Sequence, residues 1–263
     1  MQVVILCGGL GTRLREETEY QPKPMLTIGG RPILWHIMKG YSHHGFNEFV
    51  LCLGYKGEQI KEYFYNYEIL TNDFTIELGG KQRVQVHDEL PEKDWRVTLA
   101  DTGEDAMTGA RVKRIARYTG DHRFMLTYGD GLSDIDIPEL LRFHKAHGKI
   151  GTVTGVCPST PFGRLSIEGE RVTSFIEKPQ SKGSYVSGGF FVFEPAVFDY
   201  LDDTNSCVLE REPLERLAAD GELMTYLHEG YWHCMDTYRD FKHLNEVWAM
   251  GNAPWCVWDR PEP

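Results

Sequence analysis

The stretch Val3-Val4-Ile5-Leu6-Cys7-Gly8-Gly9-Leu10-Gly11-Thr12-Arg13-Leu14 decides how the chain is read. A run of apolar residues that stops at a glycine pair reads as a strand buried on both faces, the pattern of a parallel sheet with helices above and below it. The glycines let main-chain N–H groups approach the oxygens of a phosphate, and Arg13 adds a charge-assisted donor in the same loop. No Gly-Lys-Ser/Thr follows at P-loop spacing, and the third glycine of the dinucleotide fingerprint is missing. A plain strand-to-helix turn would not require three glycines and an arginine within six residues.

Working outward, Pro32 opens a helical pattern through Ile33, Leu34, Ile37, Met38 and Tyr41, and Glu48 to Leu53 reads as a second strand. A helix carrying Ile60, Phe64 and Tyr67 at three- and four-residue spacing follows. This alternation indicates an α/β fold, an open, mostly parallel Rossmann-like sheet flanked by helices. From Gln82 to Ala100 the pattern turns to short alternating strands. Thr108 to Tyr118 reads as a basic helix, Arg123 to Thr127 as a buried strand, Ile137 to His147 as a helix and Gly151 to Val156 as a strand. Arg164 to Ile176 alternates around Glu168-Gly169-Glu170 as a hairpin does. Val186 to Phe193 and Leu223 to Leu227 read as strands. Helices are expected from Pro195, through Leu214 and Leu217, and from Tyr238 to Met250. The whole is expected to be one domain, with a nucleotide-binding part at about 1–135, a small β-rich sugar-binding part at about 136–240, and a C-terminal helix and tail at 238–263.

The 263 residues carry a formal net charge of −11, which argues against a nucleic-acid surface because binding to phosphate backbones needs a basic face. A few cations focused in a cleft can still hold a small phosphorylated substrate. No apolar run approaches the roughly 20 residues that cross a bilayer. The first residues leave no room for a signal peptide, so a cytoplasmic protein is expected. Six scattered cysteines without a C-x-x-C pair read as buried thiols.

Four further segments carry candidate chemistry. Pro22-Lys23-Pro24 offers a lysine on a stiff, extended segment, suited to clamp a triphosphate, although Pro-Lys-Pro alone is often just a loop. Tyr128-Gly129-Asp130-Gly131 puts a carboxylate at the carboxyl end of a strand, the edge where open α/β sheets bind ligands, and a hard carboxylate suits Mg²⁺. An Asp-Gly turn is the plainer alternative. Asp236 is either a second carboxylate or the N-cap of the last helix. Glu177-Lys178-Pro179 fits a sugar phosphate, with the acid accepting hydroxyl protons and the ammonium facing the phosphate, or is a solvated turn. His144 and His147 share a helical face, read as exposed. Ser187-Gly188-Gly189 marks a close approach or a bulge. Trp255 and Trp258 are expected to dock onto the body or a neighbouring subunit.

GGLGTRL, PKPM, YGDG, FGRL, EKP, SGGFF and MDT, in this order, resemble the sugar-phosphate nucleotidyltransferase family over essentially the whole chain. GGRPILWHIMKGYSHHG, LGYKGEQIKEYF, DTGEDAMTGARVKRIA and APWCVWD are most similar to its glucose-1-phosphate cytidylyltransferase branch. The resemblance implies a Mg²⁺-dependent transfer from CTP to glucose 1-phosphate, serving polysaccharide biosynthesis, in a homo-oligomer, while charge and hydropathy lead to no expected nucleic-acid or membrane partner. UTP or dTTP as donor and a non-catalytic sugar-nucleotide-binding relative are the alternatives. The resemblance further implies that Leu6, Gly8, Gly9, Gly11, Thr12, Arg13 and Lys23 hold the nucleotide, with Thr108 and Arg111 near its base and Gly129 near its ribose. Arg13, Lys23 and Asp130 would be catalytic, Asp130 and Asp236 would share the metal, and Gly163, Glu177, Lys178 and Gly188 would hold the sugar 1-phosphate. Cys7 stands where alanine is usual and Ala110 where a second glycine often follows the threonine.

Overall fold

A computed structural model describes residues 1–14, 18–79, 83–158, 164–176 and 185–259. A seven-stranded sheet runs, from one edge to the other, Leu223–His228, Gly151–Val156, Val186–Phe193, Phe124–Tyr128, Gln2–Leu6, Glu48–Leu53 and Arg96–Asp101. Every neighbouring pair is parallel except the two that involve Val186–Phe193. The first strand is therefore central, with Glu48–Leu53 on one side and Phe124–Tyr128 on the other.

Its alternation explains the unbroken apolar run. Val3, Ile5 and Cys7 face one core with Ile33, Met38, Phe49 and Met125. Val4 and Leu6 face the other, with Val50, Ala110, Val112 and Leu126. At about 1.5–3 kcal/mol for each fully buried large apolar side chain, none of Val3 to Leu6 could turn polar without loss on one face or the other.

Several boundaries differ from the sequence reading for local reasons. The helix expected through Tyr67 divides at Asn66 into Gly57–Tyr65 and Tyr67–Thr71, and the basic helix divides at Ile115 into Thr108–Arg114 and Ala116–Thr119. Of the short strands expected from Gln82 to Ala100, Arg83–Val86 pairs back on Phe74–Glu77, a strand the sequence reading did not mark, and Arg96–Asp101 joins the main sheet in parallel. The helix expected from Pro195 is the 3₁₀ helix Pro195–Tyr200. The hairpin Arg164–Glu168 with Arg171–Ile176 and the helices Ile33–His43, Ile137–His147 and Tyr238–Ala249 match the expected segments closely.

The histidine face of Ile137–His147 is the clearest correction. His144 is buried, because that face packs on strand Gly151–Val156. The His144 Nδ1 and His147 Nε2 atoms each lie 2.7 Å from the Thr152 hydroxyl oxygen. One hydroxyl with one proton can donate to one ring and accept from the other, so the pair is a packing device.

The aromatic tail docks onto the body. Trp255 is 1% exposed, and Trp258 packs edge-on against Trp35 at 5.8 Å between ring centroids. The Trp255 indole donates to Nδ1 of buried His36, whose Nε2–H donates to the Ile28 carbonyl at 2.9 Å. Both nitrogens are satisfied only in the neutral ring, and burial, partly offset by the Ile28 bond, pulls the His36 pKa down to about 4. Because the unfolded ring protonates near 6.5, stability is complete above that value and falls as pH drops toward 4. The expected loss is about 2 kcal/mol by pH 5, read as a lower urea midpoint at pH 5 than at pH 7.5. An unchanged midpoint would show that His36 is not held neutral.

Candidate functional site

The glycine loop leaves the carboxyl end of the first strand, and Gly129-Asp130 leaves the same end of its parallel neighbour, Phe124–Tyr128. The Gly129 N–H donates to the Leu6 carbonyl at 3.0 Å. A Cβ on Gly129 would lie 2.9 Å from Pro24 Cγ, so only glycine admits this proline against the strand end. Lys23–Met25 is a 3₁₀ turn rather than the extended segment expected, with Pro22 alone extended before it. Pro24 is buried and Lys23 points to the carboxylates.

Its Nζ lies 2.6 Å from Asp130 Oδ2 and 2.7 Å from Asp236 Oδ1, while Arg13 Nη1 reaches Asp236 Oδ2 at 2.9 Å. Burial alone would lower the Lys23 pKa, but the charge and hydrogen bonds of Asp130 and Asp236 outweigh it and raise it, which keeps the ammonium charged. Asp236 is not the cap of the last helix. Thr237 is, in a reciprocal capping box with Asp240, and this leaves the Asp236 carboxylate free to face the cations. Trp232–Cys234 pairs with Gly131–Ser133, and the Met235 N–H donates to the Asp130 carbonyl at 2.9 Å, so main-chain pairing sets the two aspartates side by side.

Asp130, Cys234 and Asp236 are the one group of His, Cys, Asp or Glu donors among the described residues placed to hold a metal, with donor atoms all within 4.8 Å of one another. Two hard carboxylates that already converge on an ammonium fit a divalent cation with oxygen ligands. The thiol is a softer donor, and its pKa is raised by burial and then by Asp130.

A cleft of about 380 Å³, large enough for a small-molecule ligand, is lined by Leu6, Gly8, Gly9, Gly11, Arg13, Lys23, Thr108, Arg111, Gly129, Asp130 and Asp236. Thr12 opens the 3₁₀ turn Thr12–Leu14 beside it. Gly188 is not among the lining residues. It lies where the pairing of Val186–Phe193 with Gly151–Val156 shifts register, and its carbonyl accepts from the Trp232 indole at 2.8 Å. Gly163, Glu177 and Lys178 lie outside the described residues.

Arg111 is 4% exposed, and both terminal nitrogens of its guanidinium are engaged by the protein. It donates to the carbonyls of Gly8, Leu53, Gly103 and Glu104 and to the Thr102 hydroxyl, at 2.8 to 3.0 Å. A Cβ on Gly8 would lie 2.3 Å from its Cζ, so the first loop glycine makes room for this strut. Sequence reasoning missed Glu210, whose carboxylate accepts from Thr108 Oγ1 at 2.6 Å and from the Tyr128 hydroxyl. Nothing in its local sequence, Val208-Leu209-Glu210-Arg211, marks it, because its partners lie 102 and 82 residues away.

Residues 2–247 match the family model described as nucleotidyl transferase. The glucose-1-phosphate cytidylyltransferases of Salmonella typhi and Salmonella typhimurium are each 51% identical over 260 residues, covering 98% of this chain and the whole of each relative. A solved UDP-glucose pyrophosphorylase in complex with UDP-glucose superposes with a TM-score of 0.68 at 15% identity, over 95% of this chain and 98% of that one, and so shares the fold. No helix among the described residues is long and apolar enough to cross a membrane.

Proposed function

We propose that this chain, which belongs to the nucleotidyl transferase family, transfers a cytidylyl group from CTP to α-D-glucose 1-phosphate, giving CDP-glucose and pyrophosphate. The observation that carries the chemistry is the convergence of Arg13, Lys23, Asp130 and Asp236 at the mouth of the glycine loop. The choice of CTP and glucose 1-phosphate follows the two Salmonella relatives.

An oxygen of the sugar phosphate forms a bond to the α-phosphorus, the bond from that phosphorus to the bridging oxygen breaks, and pyrophosphate leaves with the electron pair. The acceptor needs no general base, since a phosphate monoester with a second pKa of about 6 is already largely dianionic at neutral pH. The protein supplies alignment and charge compensation. Main-chain N–H groups of Gly8, Gly9 and Gly11 hold triphosphate oxygens, and Arg13 and Lys23 offset their charge. Glu177, Lys178, Gly163 and Gly188 take the sugar phosphate. Asp130 and Asp236 would hold Mg²⁺, which supplies charge neutralisation between the two polyanions. Arg111 holds the Gly8 carbonyl in place from behind the loop.

We place the reaction in the cytoplasm and in a homo-oligomer. The hairpin beyond Asp73 supports the latter, since Phe74, Ile76, Leu78 and Val84 are all exposed. The direct test offers CTP, UTP, dTTP, GTP and ATP separately with glucose 1-phosphate and Mg²⁺ and follows pyrophosphate release. Preference for CTP is expected. Preference for UTP or dTTP would overturn the base, and no release with any would overturn the catalytic reading.

A further inference from the structure

The hydroxyls of two cleft-lining residues, Thr108 and Tyr128, meet on a carboxylate outside the cleft lining. Thr108 opens the helix Thr108–Arg114, and Tyr128 ends the strand that leads to Asp130. Glu210 takes one hydroxyl on each of its oxygens: Thr108 Oγ1 on Oε2 at 2.6 Å, and the Tyr128 hydroxyl on Oε1. The Leu209 N–H also donates to Thr108 Oγ1 at 3.0 Å, which fixes that hydroxyl from a third direction.

The proton count then has a consequence. A hydroxyl has one proton to give and two lone pairs, and a carboxylate only accepts. With both protons committed to Glu210, what Thr108 and Tyr128 have left for a ligand is lone pairs. Turning either proton into the cleft would break a charge-assisted hydrogen bond and leave a carboxylate oxygen without its donor. This wall therefore favours a ligand group that donates and opposes one that accepts.

Resting on the cytidylyl-transfer reading, we propose that Glu210 sets base specificity by holding Thr108 and Tyr128 as acceptors for an exocyclic amino group. Arg13, Lys23, Asp130 and Asp236 take the phosphates, which leaves Thr108 and Tyr128, lining residues that pair with Glu210 and not with these charges, for the nucleoside. Cytosine and uracil have nearly the same shape, so a pocket cannot separate them by size. They differ in that cytosine presents an amino donor where uracil and thymine present a carbonyl acceptor. Against two fixed acceptors the amino group gains hydrogen bonds, whereas the carbonyl meets lone pairs and goes without a donor, and discrimination by such a hydrogen-bonded group is sharper than discrimination by size. Glu210 is a positioning residue, because it acts on the base through the two hydroxyls.

The test is Glu210→Gln, assayed for kcat/KM with CTP and with UTP against glucose 1-phosphate. A glutamine amide can accept from one hydroxyl and donate to the other, which frees one hydroxyl proton to meet a carbonyl. The CTP:UTP ratio is expected to fall at least tenfold, from a lower value with CTP and a higher one with UTP, with an unchanged melting temperature. Tyr128→Phe removes one of the acceptors outright and should lower the same ratio, so the idea remains testable if one variant folds poorly. A wild-type enzyme that prefers CTP, with variants that keep that preference within twofold or lose both activities equally, would overturn the role of Glu210 while leaving the function standing. A wild-type enzyme without CTP preference would overturn the function itself and this inference with it.

Discussion

Replacing Arg111 with methionine is expected to cost roughly 3 kcal/mol of stability and to lower the melting temperature by on the order of 10 °C. Methionine fills much of the volume but carries no donor. The Leu53 carbonyl would keep the Thr102 N–H and hydroxyl, and the Gly8 carbonyl would keep the Tyr55 N–H, but the Gly103 and Glu104 carbonyls would lose their Arg111 donor. Both bonds are part-buried, and each hydrogen bond lost to the charged guanidinium is worth about 1.5–3 kcal/mol, of which removing a desolvated cation returns a part. Nucleotide binding should weaken as well, since Gly8 loses its strut. Arg111→Lys keeps the charge without the fork and should fall between the two. Thermal melting with nucleotide titration checks this, and a loss below about 1 kcal/mol would mean that water replaces the guanidinium.

The largest catalytic effect is expected at Lys23. Its ammonium stands between Asp130 and Asp236, where a divalent cation would also stand, so cation entry must displace it. Lys23→Met should lower turnover by about a hundredfold or more, the scale of losing one preorganised charge partner. The same substitution removes the competitor for the two carboxylates, so metal affinity, measured by calorimetry without nucleotide, should rise. A residue that merely propped the loop would lose turnover with no gain in metal affinity, and weaker metal binding in the variant would sink the displacement idea.

What sequence showed and what it hid follow from where each signal lives. The first strand was legible because both of its faces are buried, which leaves an unbroken apolar run. The glycine loop, Lys23 and Asp130 stood out because each sits in a short glycine- or proline-marked segment, but their meeting with one another and with Asp236 spans more than 100 residues and left no local mark. Arg111 was legible as a cleft residue but not as a strut, because its acceptors are main-chain carbonyls that no side-chain pattern records. His144 read as exposed because a polar residue on a helix carries no sign of the threonine waiting on the next strand. Glu210 was invisible for the same reason over a longer distance. The place of Arg96–Asp101 in the sheet could not be read either, since its outward polar residues suit an edge strand of any direction.

The pairing of Trp232–Cys234 with Gly131–Ser133 reaches beyond this one chain. Asp130 and Asp236 lie 106 positions apart, yet the interval between them is gauged by amide-to-carbonyl spacing, which is common to every side chain except proline's missing N–H. Residues along that ribbon can therefore drift over generations without retuning the interval. An insertion or deletion between the ribbon and either aspartate would instead move one ligand relative to the other at a single stroke. Lineages of this enzyme should tolerate substitution here and reject changes of length.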